Sequence, residues 1–273
     1  MVLSKDIASM IASDQKTINK VWADVWNKEN DSPSINALFK HRLFLEGFPV
    51  FLSHIPKDAK SILDVGGGTG RYGLAIAKAL PDSHVFITDI LDESVAQALE
   101  YSKDIGVHNV SVKREDVFGL SFPADTFDVV FCDVVVQHFK NPLGAVSEMT
   151  RVLKPGGIMI ISCVNVWNFH TFFKKIQTMV GGEYRYGYEK SYTHNALKNL
   201  VKSSGLEVVS VDGFYVAYGI YRLKYFHKAF SLFGLISKIV NRIVKFIDSF
   251  TGRFLSRKFG FEVFVVARKV NNV

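Results

Sequence analysis

The stretch that decides the fold is Leu63-Asp64-Val65-Gly66-Gly67-Gly68-Thr69-Gly70-Arg71-Tyr72-Gly73. It joins a short apolar strand, predicted at Ser61–Val65, to a helix through a turn in which four of five positions are glycine. Glycine lets the chain turn sharply and lets a ligand approach bare backbone. The glycines also match a dinucleotide fingerprint, so by themselves they do not choose between cofactors; the matching positions are Gly68, Gly70 and Gly73.

Strands and helices alternate along the chain after this turn. Strands are predicted at Ser61–Val65, His84–Thr88, Val110–Lys113, Phe127–Cys132, Ile158–Cys163, Glu207–Gly213 and Phe261–Ala267, and helices at Arg71–Leu80, Glu93–Lys103, Pro142–Leu153 and Thr193–Ser203. The strands are largely apolar on both faces, which is typical of a parallel sheet covered by helices on both sides. The predicted fold class is therefore α/β, a doubly wound sheet with its ligand site at the carboxyl ends of the strands.

Four acids are predicted along that ligand-binding edge. In the order of the strands that they follow, they are Asp64, Asp89, Asp116 and Asp133. A carboxylate at Asp89 can accept both hydroxyls of a ribose, and an oxygen of Asp116 can accept a hydrogen bond from an adenine amino group. Together the acids favour a cation and disfavour a pyrophosphate. The alternative for each acid is a helix cap or a solvated loop residue.

The positive charge of the chain is confined to one segment. The 273 residues are 48% apolar and 22% charged, with a net charge of +7, which is a globular composition. Residues 220–258 hold nine Lys or Arg and a single acid, Asp248, so the rest of the chain is close to neutral. A nucleic-acid-binding surface spread over the domain is therefore disfavoured.

Within that segment, residues 232–255 have the pattern of an amphipathic helix. Its apolar positions are Leu235, Ile236, Ile239, Ile243, Phe246, Ile247, Phe250 and Phe254, and its polar positions are Ser237, Lys238, Asn241, Arg242, Lys245 and Arg253. Two interpretations stay open. In one, the helix packs on its own domain and leaves a solvated basic face. In the other, it rests on an anionic membrane, which fits a lipid, quinone or lipid-linked glycan acceptor.

Cysteine usage and the length of apolar runs indicate the cellular setting. Cys132 and Cys163 lie in apolar strands without metal-ligand spacing, which predicts reduced, buried thiols, no metal site and a cytosolic protein. Residues 1–14 lack the features of a secretory signal, and the best apolar run, Ile158–Phe173, is interrupted by polar residues. We expect a cytoplasmic protein, which is membrane-peripheral if residues 232–255 bind lipid.

The motifs together resemble those of class I S-adenosylmethionine-dependent methyltransferases, in particular the small-molecule branch that includes the ubiquinone/menaquinone methyltransferases. The residues that carry the resemblance are Leu63–Gly73, Asp89, Glu115–Val117, Phe127–His138 and Leu153–Gly157. The resemblance implies a Rossmann-like methyltransferase fold, a mostly parallel seven-stranded sheet whose last strand, Phe261–Ala267, is antiparallel. It also implies S-adenosyl-L-methionine as cofactor.

The resemblance further implies roles for single residues. The backbone at Gly66 and Gly68 would face the methionine part of the cofactor, and Asp89 would take the ribose hydroxyls. Adenine would be contacted by Ile90, Asp116 and the amide of Val117. The predicted cofactor-binding set is Asp64, Gly66, Gly68, Gly70, Asp89, Ile90, Asp116, Val117 and Asp133, with Asp133 closing the cofactor from below. A weaker transfer concerns Arg42, which stands where some relatives have a cofactor-contacting arginine.

Methyl transfer needs few catalytic groups, because the sulfonium already carries a good leaving group. The protein has to align the acceptor, the methyl group and the sulfur, and to exclude water. A general base is needed only for a hydroxyl or a protonated amine, and His138 is the candidate. The alternative for His138 is a structural hydrogen bond. His170 and His194 are reserves.

The acceptor is expected among aromatic residues near the cofactor. The candidates are Trp22, Trp26, Trp167, Tyr184, Tyr186, Tyr188 and Tyr192, with ordinary core packing as the alternative for the first two. The domain organisation predicted is an N-terminal helical cap at residues 1–56 and a methyltransferase domain at 57–273, with insertions at 164–192 and 216–258. In the cap, Ser34 is expected to begin a helix that ends near Pro49.

The function predicted is transfer of a methyl group to a small-molecule or lipid-like acceptor. An NAD(P)-dependent oxidoreductase is the first alternative, but it does not account for Asp116 or for the turn Leu153–Gly157. The second alternative is a non-catalytic scaffold that retains the cofactor fold.

Overall fold

A seven-stranded sheet organises the chain in the computed structural model, which describes residues 17, 18, 20–22, 24, 33–181, 184, 186–220 and 233–270. The strands are β1 Ser61–Val65, β2 His84–Asp89, β3 Val110–Arg114, β4 Phe127–Cys132, β5 Leu153–Val164, β6 Leu206–Phe214 and β7 Glu262–Lys269. The helices are α1 Ile35–Lys40, α2 Arg42–Leu52, α3 Arg71–Ala79, α4 Asp92–Asp104, α5 Leu143–Val152, α6 Phe169–Met179, α7 His194–Lys202, α8 Phe233–Thr251 and α9 Phe254–Phe259, with a 3₁₀ turn at Val136–His138.

The strand order is β3-β2-β1-β4-β5-β7-β6. Strands β1 to β5 pair in parallel, and β7 pairs antiparallel to both β5 and β6. The prediction of a doubly wound, mostly parallel sheet with an antiparallel last strand is confirmed. The order reverses between β1 and β4, and in such sheets a ligand binds at the carboxyl ends of the strands beside that switch point.

The core lies on both faces of this sheet. On one face, Phe51 of α2 contacts Phe131 of β4 and Phe214 of β6 edge-on, with ring centroids 5.0 and 5.2 Å apart. On the other face, Met149 of α5 is fully buried against β4 and β5. Burial on both faces explains why the strand sequences are apolar throughout rather than alternating.

The helices before β1 differ from the prediction at one point. Ser34 does cap a helix, since its Oγ accepts the amide of Ala37 at 3.3 Å. That helix, however, breaks at His41, and α2 continues through Pro49 to Leu52, so the predicted end near Pro49 was wrong. Proline removes one backbone hydrogen bond, but Phe51 is 1% exposed beyond it, and its packing keeps the chain helical.

The turn Leu153–Gly157 belongs to β5 and starts that strand irregularly. Leu153 pairs with Phe127, but the next paired residue, Ile158, lies opposite Val129. Lys154 Nζ lies 2.7 Å from Asp128 Oδ1, and Asp128 also accepts the amides at the start of β1. Burial opposes ionisation of Asp128, but the Lys154 ammonium and these amides lower its pKa to about 2. The turn therefore stabilises the start of β1 and β4, at the end of the sheet opposite the carboxyl ends of the strands.

Helix α8 buries its polar face, whereas the packed-helix interpretation expects the apolar stripe to be buried against the domain. Its buried residues are Ser237, Asn241, Val244 and Asp248, whereas its apolar stripe is exposed: Leu235 54%, Ile236 40%, Ile239 49%, Ile243 53%, Phe246 66%, Ile247 38% and Phe250 76%. Asn241 Nδ2 donates to Glu46 Oε1 at 2.8 Å, and Lys245 pairs with the same carboxylate at 2.7 Å. Polar contacts thus hold the helix on the domain, and its apolar face is left uncovered.

Among the described helices, none combines the length and hydropathy that crossing a bilayer requires.

Candidate functional site

A cleft of about 810 Å³, including its open mouth, lies at the carboxyl ends of β1, β2 and β4. This volume suits a nucleoside-sized ligand. Its described lining residues are Ile18, Trp22, Val65, Gly66, Gly68, Thr88, Asp89, Ile90, Leu91, Glu115, Val117, Asp133, Val134, Val135, His138 and Phe139. Six of the nine predicted cofactor-binding residues therefore line this cleft, together with the predicted base His138.

The glycine turn forms the floor of the cleft with bare backbone. Gly66 and Gly68 have φ of 65° and 56°, a region that residues with a Cβ rarely adopt. A Cβ on Gly66 would lie 2.5 Å from Val135 Cγ2. Gly70, with φ of 81°, lies outside the lining and starts α3. A side chain at Gly66, one of the positions predicted to face the cofactor, would thus collide with the wall of the cleft.

Asp64 stands behind this turn rather than in the cleft. Its side chain is buried, and its Oδ2 accepts the amide of Gly73 at 2.9 Å. Burial, then the nearby charge of Asp133, raises its pKa to about 8. Asp64 therefore holds the first turn of α3 against β1, and it is not among the described residues that line the cleft.

The pH dependence of stability should report the buried carboxyl of Asp64. The folded pKa of about 8 exceeds the ordinary 3.8, so the folded protein keeps a proton that the unfolded chain releases. The stability from Asp64 is complete below about pH 4 and is lost as pH rises towards 8. Asp64→Asn, which cannot ionise, should flatten the fall in melting temperature between about pH 4 and 8. An equally steep fall in the variant would contradict this assignment.

Asp89 ends β2 at the wall of the cleft. Its Oδ2 accepts the amide of Gly68 at 2.9 Å and its Oδ1 accepts the amide of Leu91 at 3.0 Å. Burial raises its pKa, and these backbone hydrogen bonds oppose the rise. Each carboxylate oxygen keeps further acceptor capacity for a hydroxyl. Asp89 is thus oriented by the glycine turn, and its contact with ribose stays a prediction.

Substitution of Asp89 should weaken cofactor binding. Asp89→Ala removes a charged acceptor and frees the Gly68 amide, so we expect the dissociation constant for S-adenosylhomocysteine to rise about 10- to 100-fold. Isothermal titration calorimetry measures this directly. Asp104→Ala, at the far end of α4, serves as a control for loss of a carboxylate. An unchanged constant in Asp89→Ala would exclude the assignment of this residue to the ribose.

The residues after β3 are arranged differently from the prediction. Asp116 Oδ1 accepts the amide of Phe118 at 3.0 Å in a local turn, and the cleft is lined by Glu115 and Val117 instead. Burial opposes ionisation of Glu115, but Lys113 and Ser121 hold its pKa below the usual value. The part of the cleft predicted to hold adenine is therefore bounded by Val117 and an ionised Glu115, with Asp116 supporting the turn.

The charges of the lining residues distinguish a cationic cofactor from one that carries a pyrophosphate. Asp89, Glu115 and Asp133 contribute carboxyl groups, and no Lys or Arg occurs among the described lining residues. Such a wall attracts a positive charge and repels a pyrophosphate. The bare backbone at Gly66, the acid at the end of β2 and the apolar Ile90 and Leu91 match the parts of S-adenosylmethionine. The residues present thus fit this cofactor better than NAD(P).

His138 is buried, 5% exposed, at the boundary of the cleft. Its Nδ1 lies 2.9 Å from the carbonyl of Tyr188 and must donate to it. Gln137 Oε1 accepts the amide of Val164, which turns the Gln137 amide nitrogen towards His138 Nε2 at 3.4 Å. Burial lowers the pKa of His138, against the raising effects of the Tyr188 carbonyl and Glu189. The imidazole is therefore neutral, with its lone pair on Nε2.

A second cavity adjoins the cleft and shares Ile18, Trp22 and His138 with it. The edge of Trp22 meets His138 with ring centroids 5.0 Å apart, and Trp22 lies 5.7 Å from the ring of Tyr186. Further wall residues are Thr17, Val21, Lys140, Gly187 and Tyr188. An acceptor in this aromatic cavity would lie beside both His138 and the cofactor.

The other predicted residues lie elsewhere. Trp167 is 62% exposed, Tyr192 is buried in the core, and Trp26 lies outside the described residues. Tyr184 donates to Glu189 Oε2 at 2.9 Å, close behind the second cavity. The reserves have structural surroundings: His170 lies between the rings of Tyr218 and Phe261, and His194 Nε2 lies 3.3 Å from the Asp212 carbonyl. Arg42 contacts Glu46 and the ring of Tyr215.

Sequence reasoning missed several wall residues, above all Val134 and Val135. Val134 has φ of 52°, which is rare for a β-branched residue, and Val135 packs on Gly66. No sequence pattern marks a valine for this conformation. Glu115 could have been found, since it stands in the Glu-Asp-Val motif beside the predicted Asp116.

Known proteins resemble this chain in the same region. The family described as "Methyltransferase domain" matches residues 56–205. The chain is 28% identical over 215 residues to the ubiquinone/menaquinone biosynthesis C-methyltransferase UbiE of Pasteurella multocida, covering 72% of this chain and 80% of that relative. For the same enzyme of Salmonella paratyphi B, the identity is 26% over 235 residues, covering 78% and 92%. A solved SAM-dependent methyltransferase from Aquifex aeolicus aligns with a TM-score of 0.55 at 18% identity, covering 88% of this chain and 100% of that chain.

Proposed function

Because the chain belongs to the methyltransferase domain family and is an S-adenosylmethionine-dependent methyltransferase of a small molecule, we propose that its acceptor is lipid-like and is taken from an anionic membrane surface. The cofactor supplies the methyl group together with a good leaving group. The relatives' names place them in ubiquinone and menaquinone biosynthesis, where the acceptor is a carbon atom. A lipid-like acceptor is consistent with those names, but the proposal rests on the surface of this chain.

The observation that carries the proposal is the exposed apolar face of α8. Ile239, Ile243 and Phe246 are 49%, 53% and 66% exposed, and they continue a stripe along the helix. Monomeric soluble proteins rarely expose contiguous apolar surface of this kind unless something covers it. The stripe lies outward because the small polar residues of α8 face the domain. This exposed stripe supports the proposal that an apolar environment covers the helix from outside.

The charges beside the stripe favour an anionic membrane over a second copy of the chain. Lys238 and Arg242 are exposed at one edge of the apolar face, and Arg257 and Lys258 are exposed on α9. Two copies packed through α8 would bring these like charges together. Anionic headgroups would instead neutralise them, and each basic residue near such a surface contributes about 1 kcal/mol.

The first insertion, residues 164–192, also exposes apolar side chains. Trp167, Phe169 and Phe172 are 62%, 48% and 57% exposed at the start of α6. Asn168 Nδ2 donates to the Val216 carbonyl at 3.0 Å, and Ser237 Oγ of α8 donates to the neighbouring Ala217 carbonyl at 3.3 Å. Both exposed apolar faces are thus anchored on one short segment, and we assign both to the membrane contact.

Helix α6 is linked to the wall of the second cavity through Lys174. Lys174 Nζ lies 2.6 Å from Glu189 Oε1, and this ion pair is buried. Glu189 follows Tyr188, which lines the second cavity and binds His138 through its carbonyl. Helix α6 is thus linked through Glu189 and Tyr188 to the wall of the second cavity, and we propose that this cavity takes the head of a lipid-like acceptor.

In this arrangement the chain's residues act by positioning and by taking a proton. Trp22 and Tyr186 hold the acceptor head between the two cavities and exclude water. The Nδ1 of His138 is committed to the Tyr188 carbonyl, so Nε2 is its basic nitrogen. For His138 to take the proton of an acceptor hydroxyl, that hydroxyl replaces the 3.4 Å contact of Nε2 with the Gln137 amide nitrogen. We further propose that the protein works at the cytoplasmic face of a membrane, which suits the buried free thiols of Cys132 and Cys163.

Vesicle co-sedimentation tests the membrane contact. Vesicles of phosphatidylcholine with phosphatidylglycerol should bind the protein, and Ile239→Ser with Ile243→Ser should weaken binding by about 10- to 100-fold through lost apolar burial. Leu99→Ser with Leu143→Ser is the matched control, since these leucines are 41% and 39% exposed on α4 and α5. Lys238→Ser with Arg242→Ser should reduce binding to anionic vesicles. Equal binding by the isoleucine variant and the control would contradict the proposal.

A further inference from the structure

A buried pair of carboxyl groups lies behind the cleft wall, at the ends of β4 and β7. Glu262 opens β7 between Val164 of β5 and Phe214 of β6, and it is 1% exposed. Its carboxyl is hydrogen-bonded to that of Asp133, which follows β4 and lines the cleft. Burying the charged carboxylate of a glutamic acid costs free energy. The role of Glu262 therefore depends on its hydrogen-bond partner and on whether its carboxyl is protonated.

Ser162 of β5 ties this pair to the cleft wall. Its Oγ donates to Asp133 Oδ1 at 2.6 Å and accepts the amide of Val134 at 3.0 Å. Val134 has φ of 52°, a conformation that needs support in a β-branched residue. The same hydrogen bonds therefore fix the direction of the Asp133 carboxyl and the wall formed by Val134 and Val135 opposite Gly66.

One carboxyl of the pair is neutral. Burial raises the pKa of Glu262 well above its usual value, and the Asp133 charge raises it further, while the Arg71 guanidinium and Ser162 oppose the rise. Asp64 and Tyr72 also face this region, since their pKa values are raised by burial and then by Asp133. Neutral Glu262 can donate its O–H to Asp133, which leaves the negative charge on the residue that lines the cleft.

Glu262 is not satisfied as a purely structural group would be. Its Oε2 is buried and has no hydrogen-bond partner among the described residues. Buried polar atoms are nearly always paired, and the side-chain hydrogen bonds that the structure gives to this carboxyl are those with Asp133 and Ser162.

We propose that Glu262 is a positioning residue that holds the Asp133 carboxylate towards the ammonium group of the cofactor's methionine part. Asp89 on β2 is predicted to bind the ribose, and a cofactor bound there along the sheet edge would have its amino-acid end over β1 and β4, where Asp133 stands. The inference concerns the cofactor and does not depend on the acceptor or on membrane contact.

Two ligands separate this role from a general effect on the cleft. S-adenosylhomocysteine carries the amino-acid end, and 5′-methylthioadenosine lacks it. Glu262→Met, similar in volume but without the donor, should bind S-adenosylhomocysteine about tenfold more weakly and 5′-methylthioadenosine within about twofold of wild type. Glu262→Gln keeps a donor towards Asp133 and should restore the affinity for S-adenosylhomocysteine. Isothermal titration calorimetry measures all three proteins.

Asp133→Asn keeps the test decisive if Glu262→Met does not fold. It removes the charge at the cleft wall and should show the same selective loss for S-adenosylhomocysteine. The proposal is overturned if a folded Glu262→Met or Asp133→Asn variant binds S-adenosylhomocysteine as wild type does. It is also overturned if both ligands weaken equally, because a merely structural role would disturb the whole cleft.

Discussion

Replacing His138 by alanine is expected to slow methyl transfer by about 100- to 10,000-fold, the range for loss of a general base. The affinity for S-adenosylhomocysteine should change less than about twofold, because the neutral imidazole lies at the acceptor boundary of the cleft. The measurement is transfer of labelled methyl from S-adenosylmethionine to a total lipid extract, with calorimetry for cofactor binding. His194→Ala is the control, since His194 has a pKa that is also lowered by burial but lies at the start of α7.

The pH profile gives this prediction a second readout. Burial lowers the pKa of His138 below the ordinary 6.5, so its lone pair is available at neutral pH and activity should fall only at pH values below that ordinary value. That acidic limb should be absent from the residual activity of His138→Ala. Turnover of His138→Ala at the wild-type rate would mean that the acceptor needs no base or finds another.

Replacing Gly66 by alanine is expected to weaken binding of S-adenosylhomocysteine by about 100-fold. The new Cβ would lie 2.5 Å from Val135 Cγ2, so the wall must move and the backbone that faces the ligand becomes covered. The φ of 65° adds strain for any residue with a Cβ. Calorimetry measures the loss, and thermal unfolding measures the accompanying change in stability.

A matched control separates the clash from the strain. Gly106 has φ of 64°, almost that of Gly66, but an added Cβ there would meet nothing within 4 Å. Gly106→Ala should therefore lower the melting temperature without weakening binding. If Gly66→Ala binds the ligand as tightly as Gly106→Ala does, the glycine turn is not the cofactor floor.

Much of the sheet could be predicted because its strands are short apolar runs between strong breakers. The bounds of β1 and β4 agree with the prediction to the residue, since glycines or acids follow each run. The end of the helix near Pro49 could not be read locally, because the buried ring of Phe51 outweighs the break that proline favours. Tertiary packing decided that boundary.

The orientation of α8 could not be predicted from its amphipathic pattern alone. A helix with an apolar stripe and a polar face has the same sequence whether the stripe faces the domain or the outside. The available signal was the spacing of small polar residues: Ser237, Asn241 and Asp248 lie on one face, and each is hydrogen-bonded within the domain. Glu46, the partner of Asn241, is far away in sequence, and Ser237 bonds to Ala217 outside the helix, so only the fold shows which face is buried.

Site residues could be predicted where they stand at the end of a strand. They could not be predicted in the loop after β3, where the local turn decides which side chain lines the cleft. Asp89 and Asp133 follow their strands directly and line the cleft. Asp116 lies one residue further from its strand, and its carboxylate caps the following turn while Glu115 takes the wall. The partner of Asp133, Glu262, is distant in sequence and is brought beside it only by the pairing of β5 with β7.

The most direct test of a lipid-like acceptor taken from the membrane follows the labelled methyl group itself. Wild-type protein, labelled S-adenosylmethionine and anionic vesicles containing a total lipid extract should place the label in the organic phase. Ile239→Ser with Ile243→Ser should lose this transfer by about tenfold or more while binding S-adenosylhomocysteine normally. Label found only in water-soluble products, or equal lipid labelling by the variant, would contradict the proposed function.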